Sequence, residues 1–329
     1  MRRPTIALWS TKLTRPFASL DAWIDDVDAH LERAAAEGAD LLMTPEYWVE
    51  QWLSFKPGDL TTDREIGWMG ERAAQAVEAL QQCVADRGVA LLAGTMPWPA
   101  ESGGCTNRAW LLLPDGRAVP QDKLVLTPSE KDRRNWNLET GGSIAITEWN
   151  GWRIAVLICL DIEVPALSVA LAPHRPDLVL VPSMTSQLSG YSRVYSCARA
   201  RAVEMMTTVA VCGCVGPAVG TTYNDTNVSG AAVYIPCEKE LGYTGILAEH
   251  PPVGIHDGDG PWLVVRDIPV DRIRALRDGG AEVWPGTVPV GSVKILDEAY
   301  STSTGTGSVG ASSRSDHSET PAGYQRISG

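Results

Sequence analysis

Short apolar runs alternate along the chain with longer segments in which apolar residues recur at helical spacing. The runs are typical of buried strands, and in the first half of the chain they cover residues 6–9, 39–45, 88–94 and 109–114. Similar runs follow in the same order in the second half, at residues 154–157, 176–182, 208–213 and 231–236. The offset between partners drifts from roughly 150 to about 120 residues, which indicates two pseudo-symmetric halves and not a short tandem repeat.

Between these runs lie four segments with helical periodicity, at residues 20–37, 64–87, 164–171 and 191–206. Asn150 and Gly151 separate two strand-like runs and are a typical hairpin signal. Strands that alternate with helices in two matching halves predict an α/β fold in which two sheets pack face to face with helices outside.

Candidate catalytic residues lie at the ends of such runs, where ligands bind in open α/β sheets. Cys159 follows the apolar residues 154–158, between a strand and a helix start, where unpaired backbone N–H groups collect. Glu46 follows another run, and Lys123 lies among apolar and turn-forming residues with Glu130 seven positions later. A thiol, a carboxylate and an ammonium can supply a nucleophile, a base and stabilisation for an oxyanion.

Short motifs surround these residues in a definite order: TPEY at 44–47, NRA at 107–109, DKL at 122–124, TPSE at 127–130, ICLD at 158–161 and VPS at 181–183. Over roughly residues 5–250, the chain thereby resembles the nitrilase superfamily of carbon–nitrogen hydrolases, whose catalytic triad is Glu–Lys–Cys. Segments 190–194 and 198–204 look like one bacterial, amidase-like branch. Leu160 departs from the pattern, because family members usually carry an aromatic residue there.

The resemblance implies a four-layer αββα sandwich. It also implies an enzyme without cofactor or metal that hydrolyses a non-peptide carbon–nitrogen bond, most often an amide, through a cysteinyl thioester. Cys159 would be the nucleophile and Glu46 the base, while Lys123 and the backbone N–H of Leu160 would stabilise the oxyanion. Glu130 resembles the family's additional glutamate and is expected to orient substrate and Lys123, with a solvated loop acid as the alternative. Family members commonly dimerise by extending the sandwich, so we expect a homodimer or a higher homo-oligomer.

Five further side chains are candidates for contacts with a small-molecule amide or nitrile, because they lie near predicted pocket loops: Tyr47, Trp48, Trp136, Tyr191 and Arg193. Packing in the core or at an interface is the alternative for the tryptophans. An ion pair with an acidic residue is the alternative for Arg193.

Three other functions remain open. Nitrile hydrolysis would use the same cysteine, and acyl transfer to an amine would use the same thioester. A non-catalytic oligomeric scaffold would need only the fold, although the complete set of Glu46, Lys123, Glu130 and Cys159 argues against it.

Composition limits the expected partners and compartment of the protein more than it limits its reaction. The chain has 329 residues, 44% of them hydrophobic, and a formal net charge of −12. A large core is therefore possible, whereas nucleic acid and membrane surfaces are not expected partners. No run approaches the length of a membrane span or a signal-peptide core, so we expect a cytoplasmic protein with free thiols.

The domain organisation follows from a change in composition near the end of the chain. Residues 1–300 are expected to form a single carbon–nitrogen hydrolase domain. Residues 301–329 are rich in Ser, Thr and Gly and are expected to be a disordered tail.

Overall fold

Each half of the chain supplies most of one β-sheet. The computed structural model describes residues 2–133, 136–221 and 224–282. Within these ranges the strands are β1 (Ile6–Trp9), β2 (Leu41–Met43), β3 (Ala90–Pro99), β4 (Cys105–Leu112), β5 (Ala118–Asp122), β6 (Leu138–Glu139), β7 (Thr147–Trp149), β8 (Trp152–Val156), β9 (Leu178–Ser183), β10 (Thr208–Gly213), β11 (Ser229–Tyr234), β12 (Ile246–Val253) and β13 (Trp262–Val265).

The two sheets repeat one topology, which confirms the predicted pseudo-symmetry. The first sheet has the order β13–β1–β2–β3–β4–β5, with β6 paired to β4, and the second has the order β7–β8–β9–β10–β11–β12. In each, the second, third and fourth strands are parallel to one another and the flanking pairs are antiparallel. The strands at matching places in the two sheets are those paired by the sequence pattern.

Helices lie against the sheets. In the described ranges the α-helices are α1 (Leu20–Ala36), α2 (Glu65–Arg87), α3 (Pro128–Lys131), α4 (Pro165–Leu171), α5 (Leu188–Glu204) and α6 (Val270–Ala275). Short 3₁₀ helices cover Trp48–Phe55, Thr62–Arg64, Cys159–Glu163, Ala172–His174 and Lys239–Leu241, and a π turn, Leu276–Gly280, follows α6.

The alternation of side chains along β1 explains the layers. Ile6 and Leu8 point to one side and pack in a core cluster with residues of the second sheet, whereas Ala7 and Trp9 point to the other side and pack with α1 and α2. Residues of α5 pack on the second sheet, among them Val194. The resulting order of helix, sheet, sheet and helix confirms the four-layer αββα sandwich.

Most element boundaries differ from the sequence prediction by a few residues. The hairpin at Asn150 and Gly151 is confirmed, because both residues have positive φ and Trp149 pairs with Trp152. Among the helices the largest change is in α5, which begins at Leu188 and not at residue 191. Its first turns therefore replace the pocket loop that the sequence predicted there.

All described residues belong to one compact unit, Met1–Thr287. The predicted domain boundary at residue 300 and the predicted tail 301–329 lie outside the described residues, as does the second unit, Val288–Gly329.

Among the described helices, none combines the length and the apolar character that a membrane crossing requires.

Gly94 allows the segment that leads to Glu46 to lie directly against β3. Its φ is +44°, and a Cβ atom there would lie 1.9 Å from the carbonyl oxygen of Pro45. That oxygen accepts a hydrogen bond from the backbone N–H of Thr95 at 3.2 Å. The close approach of the two backbones thus requires a glycine.

We predict that Gly94→Ala lowers the free energy of unfolding by about 2–5 kcal/mol, since left-handed backbone strain adds to a clash with backbone that cannot move freely. Urea unfolding of wild type and variant measures the difference. Gly88→Ala is the matched control, because Gly88 also has positive φ (+68°) but a Cβ would meet nothing within 4 Å. Its loss should be about 1–2 kcal/mol, and equal losses in the two variants would contradict the interpretation.

Candidate active site

Cys159 lies on a sharp turn between a strand and a helix. β8 ends at Val156, and Cys159 begins the 3₁₀ helix Cys159–Glu163 with a positive φ of 48°, which is unusual for a residue with a side chain. The side chain is 6% exposed. Its thiol contacts the carbonyl oxygen of Met184 at 3.6 Å and accepts a hydrogen bond from the Ser183 hydroxyl at 3.4 Å. The turn therefore presents the sulfur at the edge of the second sheet.

The side chain of Asp161 stabilises this turn by hydrogen bonds to backbone N–H groups. Its carboxylate accepts hydrogen bonds from the backbone N–H of Ile158 at 3.0 Å and from that of Val125 at 2.8 Å. Burial raises the pKa of Asp161 to about 6, although the backbone N–H groups oppose the shift. One buried carboxylate thereby links the cysteine turn to the segment that follows Lys123.

Lys123 directly follows β5 and lies between two carboxylates. Its ammonium group is 2.7 Å from Oε1 of Glu46 and 2.8 and 2.9 Å from the two carboxylate oxygens of Glu130. The side chain is 2% exposed. The sequence alternative of a solvated Glu130 is wrong, since Glu130 is 3% exposed.

Glu130 owes its position to a capping box at the start of α3. Its carboxylate accepts a hydrogen bond from the backbone N–H of Thr127 at 2.7 Å, while the Thr127 hydroxyl accepts one from the backbone N–H of Glu130. The Tyr47 hydroxyl donates to Glu130 at 3.0 Å. The TPSE motif thus folds into a helix start whose acidic side chain points inward.

Asn107 joins the two carboxylates, a role that the sequence analysis missed. Its side-chain N–H₂ group donates to Glu46 at 2.9 Å and to Glu130 at 3.0 Å, and its backbone carbonyl accepts from the N–H of Lys123 at 2.8 Å. The available signal was a polar residue at an inward position of the apolar strand β4.

The charges of this cluster shift the pKa values of its members in different directions. Burial raises the pKa of Glu46, with Lys123 opposing. Burial also acts against the charge of Glu130, but Lys123 and the hydrogen bonds from Thr127 and Asn107 together lower its pKa. Burial opposes the charge of Lys123, but the two carboxylates outweigh it and raise its pKa. Burial and the Glu46 charge raise the pKa of Cys159. A neutral thiol thus lies beside a carboxylate that is more basic than usual.

These groups line a cavity of about 270 Å³. The cavity brings together four of the residues predicted from the sequence, Glu46, Lys123, Glu130 and Cys159. The remaining lining residues are Tyr47, Thr127, Ser129, Trp136, Met184, Ser186 and Asn224. Tyr47 and Trp136 contact each other edge to face, with ring centroids 4.6 Å apart.

Three of the predicted substrate contacts do not line the cavity. Trp48 is fully buried among Trp9 and Trp23, and its indole N–H donates to the carbonyl of Ala93 at 3.0 Å, so it is a core residue. A location just after a strand does not distinguish pocket side chains from core side chains, so the sequence did not separate the two for Trp48.

Tyr191 and Arg193 lie on α5 and do not line the cavity. The ring of Tyr191 packs on that of Tyr195 at 3.9 Å, and Arg193 pairs with Glu163 at 3.2 Å. For Arg193 the structure supports the ion-pair alternative. The prediction failed because the helix begins earlier than the periodicity indicated.

Leu160 is the second residue of the 3₁₀ helix that starts at Cys159 and is half-buried. The first N–H groups of a helix have no acceptor within it. The backbone N–H of Leu160, the residue after Cys159, therefore has no acceptor within this helix.

Among the described residues, no group of three or more His, Cys, Asp and Glu side chains is arranged to bind a metal ion.

Comparisons with known proteins identify the family of the chain. The family model described as carbon–nitrogen hydrolase matches residues 11–239. The chain is 26% identical over 265 residues to a probable hydrolase, YhcX, of Bacillus subtilis, a match that covers 80% of this chain but 49%, about half, of that protein. It is 30% identical over 209 residues to the omega-amidase YafV of Escherichia coli, covering 63% of this chain and 74% of that enzyme.

Solved structures show the same fold. An amidase from Nesterenkonia sp. is 25% identical, with a TM-score of 0.63 over 84% of this chain and 94% of that one. A variant of that amidase is known in complex with butyramide, and another shows acrylamide joined to the active-site cysteine by Michael addition. With a family model matched over most of its length, the chain belongs to the carbon–nitrogen hydrolase family of the nitrilase superfamily.

Proposed function

We propose that this protein hydrolyses a small amide to a carboxylic acid and ammonia or an amine, through a thioester on Cys159. The observation that carries the proposal is the convergence of Glu46, Lys123, Glu130 and Cys159 on one small cavity. Two of these side chains, Glu46 and Glu130, are carboxyl groups and Lys123 is an amine, and all three are nearly fully buried. Such an arrangement is costly to fold and is a frequent mark of a catalytic site.

In the first step Glu46 accepts the thiol proton as the sulfur of Cys159 attacks the amide carbon. The raised pKa of Glu46 favours this transfer. The attack converts the carbonyl oxygen into an oxyanion, and the carbon–nitrogen bond then breaks. Glu46 returns the proton to the departing nitrogen, which leaves a neutral amine or ammonia and a thioester.

In the second step a water molecule attacks the thioester carbon while Glu46 removes one of its protons. The carbon–sulfur bond breaks, the acid leaves, and the proton on Glu46 restores the thiol. Glu46 therefore acts in turn as base, acid and base again, which requires a carboxylate whose pKa lies nearer to neutrality than usual.

Lys123 supplies positive charge to both oxyanions. Its bidentate contact with Glu130 can be served by one shared proton and its contact with Glu46 by another. One N–H of the ammonium then remains for the substrate oxygen, with the backbone N–H of Leu160 as second donor. Each such donor contributes a factor of about 10²–10³ in kcat.

The size of the cavity favours a small acyl group. About 270 Å³ is below the roughly 300–1,000 Å³ typical of sites for drug-sized ligands. Trp136 and Met184 offer apolar contacts, and Ser129, Ser186 and Asn224 offer polar ones. Butyramide, which a variant of the Nesterenkonia amidase binds, is a suitable first substrate.

We predict that Cys159→Ala reduces hydrolysis of butyramide to the uncatalysed background while the protein stays folded. The variant loses the nucleophile but only one buried sulfur atom from the packing. Ammonia release measures turnover, and circular dichroism checks the fold. Cys197→Ala, which removes a half-buried thiol on α5, is the control and should keep wild-type activity. Turnover in Cys159→Ala would refute the mechanism.

We also predict that butyramide gives butyric acid and ammonia, with a transient mass increase of one acyl group on Cys159. Intact-mass measurement after rapid acid quenching, followed by peptide mapping, detects the adduct. Butyronitrile and butyramide with added hydroxylamine are run in parallel. Faster consumption of the nitrile would favour a nitrilase, and a product dominated by the hydroxamate would favour acyl transfer.

We expect Glu130→Gln to lower kcat by about 10²–10³, because the neutral amide keeps the shape but no longer balances the charge of Lys123. Initial rates on butyramide over a range of concentrations separate kcat from KM. Glu139→Gln on β6 is the control, since Glu139 is half-buried and contacts Ser102 outside the cavity. Equal rates for the two variants would exclude a role for Glu130.

A further inference from the structure

A fourth buried carboxyl group lies behind the wall of the cavity. Glu50 is 3% exposed and belongs to the 3₁₀ helix that follows Glu46 and Tyr47. Its Oε2 accepts a hydrogen bond of 2.6 Å from the side-chain N–H₂ group of Asn224. Asn224 lines the cavity, whereas Glu50 does not. Glu50 therefore contacts the wall of the cavity through its hydrogen bond with Asn224.

Asn224 belongs to the connection between β10 and β11 and is bound on several sides. Its Oδ1 accepts from the side chain of Asn227 at 3.0 Å, and its backbone carbonyl accepts from the N–H of Ala218. Its N–H₂ group also lies 3.4 Å from the sulfur of Met184, the residue whose carbonyl contacts the Cys159 thiol. Glu50 thus connects this side of the cavity to the segment that contains Glu46.

The groups that face Glu50 are mostly acidic. Glu46 is on its own segment, Glu65 is on α2, and the Cys214 thiol follows β10. Glu65 is itself paired with Lys56 and accepts a hydrogen bond from Thr221. Burial, with the charges of Glu65 and Glu46, raises the pKa of Glu50 to about 8, while Asn224 opposes the shift. Glu50 is therefore neutral at pH 7.

We propose that Glu50 is a positioning residue, which accepts the hydrogen bond of Asn224, holds that side chain against the cavity and so sets the wall on which the acyl group of the substrate packs. The inference rests on the proposed function and extends it to substrate binding. An ionised Glu50 needs more donors than the single amide of Asn224. Ionisation then draws water into the space behind Asn224, and the acyl site loosens.

The test compares the pH dependence of kcat/KM for butyramide in wild type, Glu50→Gln and Glu65→Gln. Wild-type kcat/KM should fall above pH about 8, through a rise in KM more than a fall in kcat. Glu50→Gln keeps the acceptor for Asn224 but cannot ionise, so this decline should disappear. Glu65→Gln removes a negative charge near Glu50, so the decline should move to lower pH while activity at pH 6 is unchanged.

A fourth variant tests the hydrogen bond itself. Glu50→Leu removes the acceptor, and at pH 7 its KM should rise about tenfold with a smaller change in kcat. Glu50→Gln should behave like wild type at that pH. A purely structural role would destabilise both variants without changing the pH profile. Coincident profiles for wild type and Glu50→Gln would overturn the proposal.

Failure of the proposed function remains distinguishable from failure of this inference. If the wild type hydrolyses no amide, alkylation of Cys159 by acrylamide replaces turnover and is followed by peptide mass spectrometry. The ratio of the wild-type rate to the Glu50→Gln rate should then decline above pH about 8. A ratio that does not change with pH would count against Glu50 whatever the enzyme's reaction.

Discussion

The ammonium group of Lys123 between the carboxylates of Glu46 and Glu130 is the interaction on which the site depends. Each carboxylate alone would be strongly destabilising at 2–3% exposure, since removing a charge from water costs several kcal/mol. With the ammonium between them, the three groups carry one net negative charge. Loss of one partner from such a buried group commonly costs about 3–5 kcal/mol. Burial raises the pKa of Glu46 despite Lys123, and the charge of Glu130 adds to the rise.

The sandwich brings these residues together because the carboxyl ends of strands from both sheets lie at one edge. Glu46 follows β2 and Lys123 follows β5 in the first sheet, and Cys159 follows β8 in the second. Asp161 crosses between the sheets by accepting N–H groups from both the cysteine turn and the segment after Lys123. Gly94 lets the segment before Glu46 approach β3. The positions of the acid, the ammonium and the sulfur are therefore linked through the backbone and through the buried side chain of Asp161.

The sequence was sufficient to predict the sheets and to select the acid, the ammonium and the thiol, because both predictions depend on patterns of neighbouring residues. Apolar runs of strand length mark the sheet, and the motifs lie directly at strand ends. It was insufficient for side chains whose role depends on direction. Trp48 and Tyr47 are neighbours, yet one points into the core and the other into the cavity. Asn107 and Glu50 were missed because their partners lie 61 and 174 positions away.

Buried carboxyl groups around this cavity differ in protonation because they differ in partners, not in depth. Glu130 has an ammonium, a backbone N–H and a phenol hydroxyl as donors and remains ionised. Glu50 has Asn224 and two acidic neighbours and is neutral at pH 7. Glu46 lies between these extremes, with one ammonium shared with Glu130, so a proton can both arrive and leave there. In the proposed mechanism this gradation gives the three carboxyl groups different tasks: Glu130 fixes charge, Glu50 fixes shape, and Glu46 transfers protons.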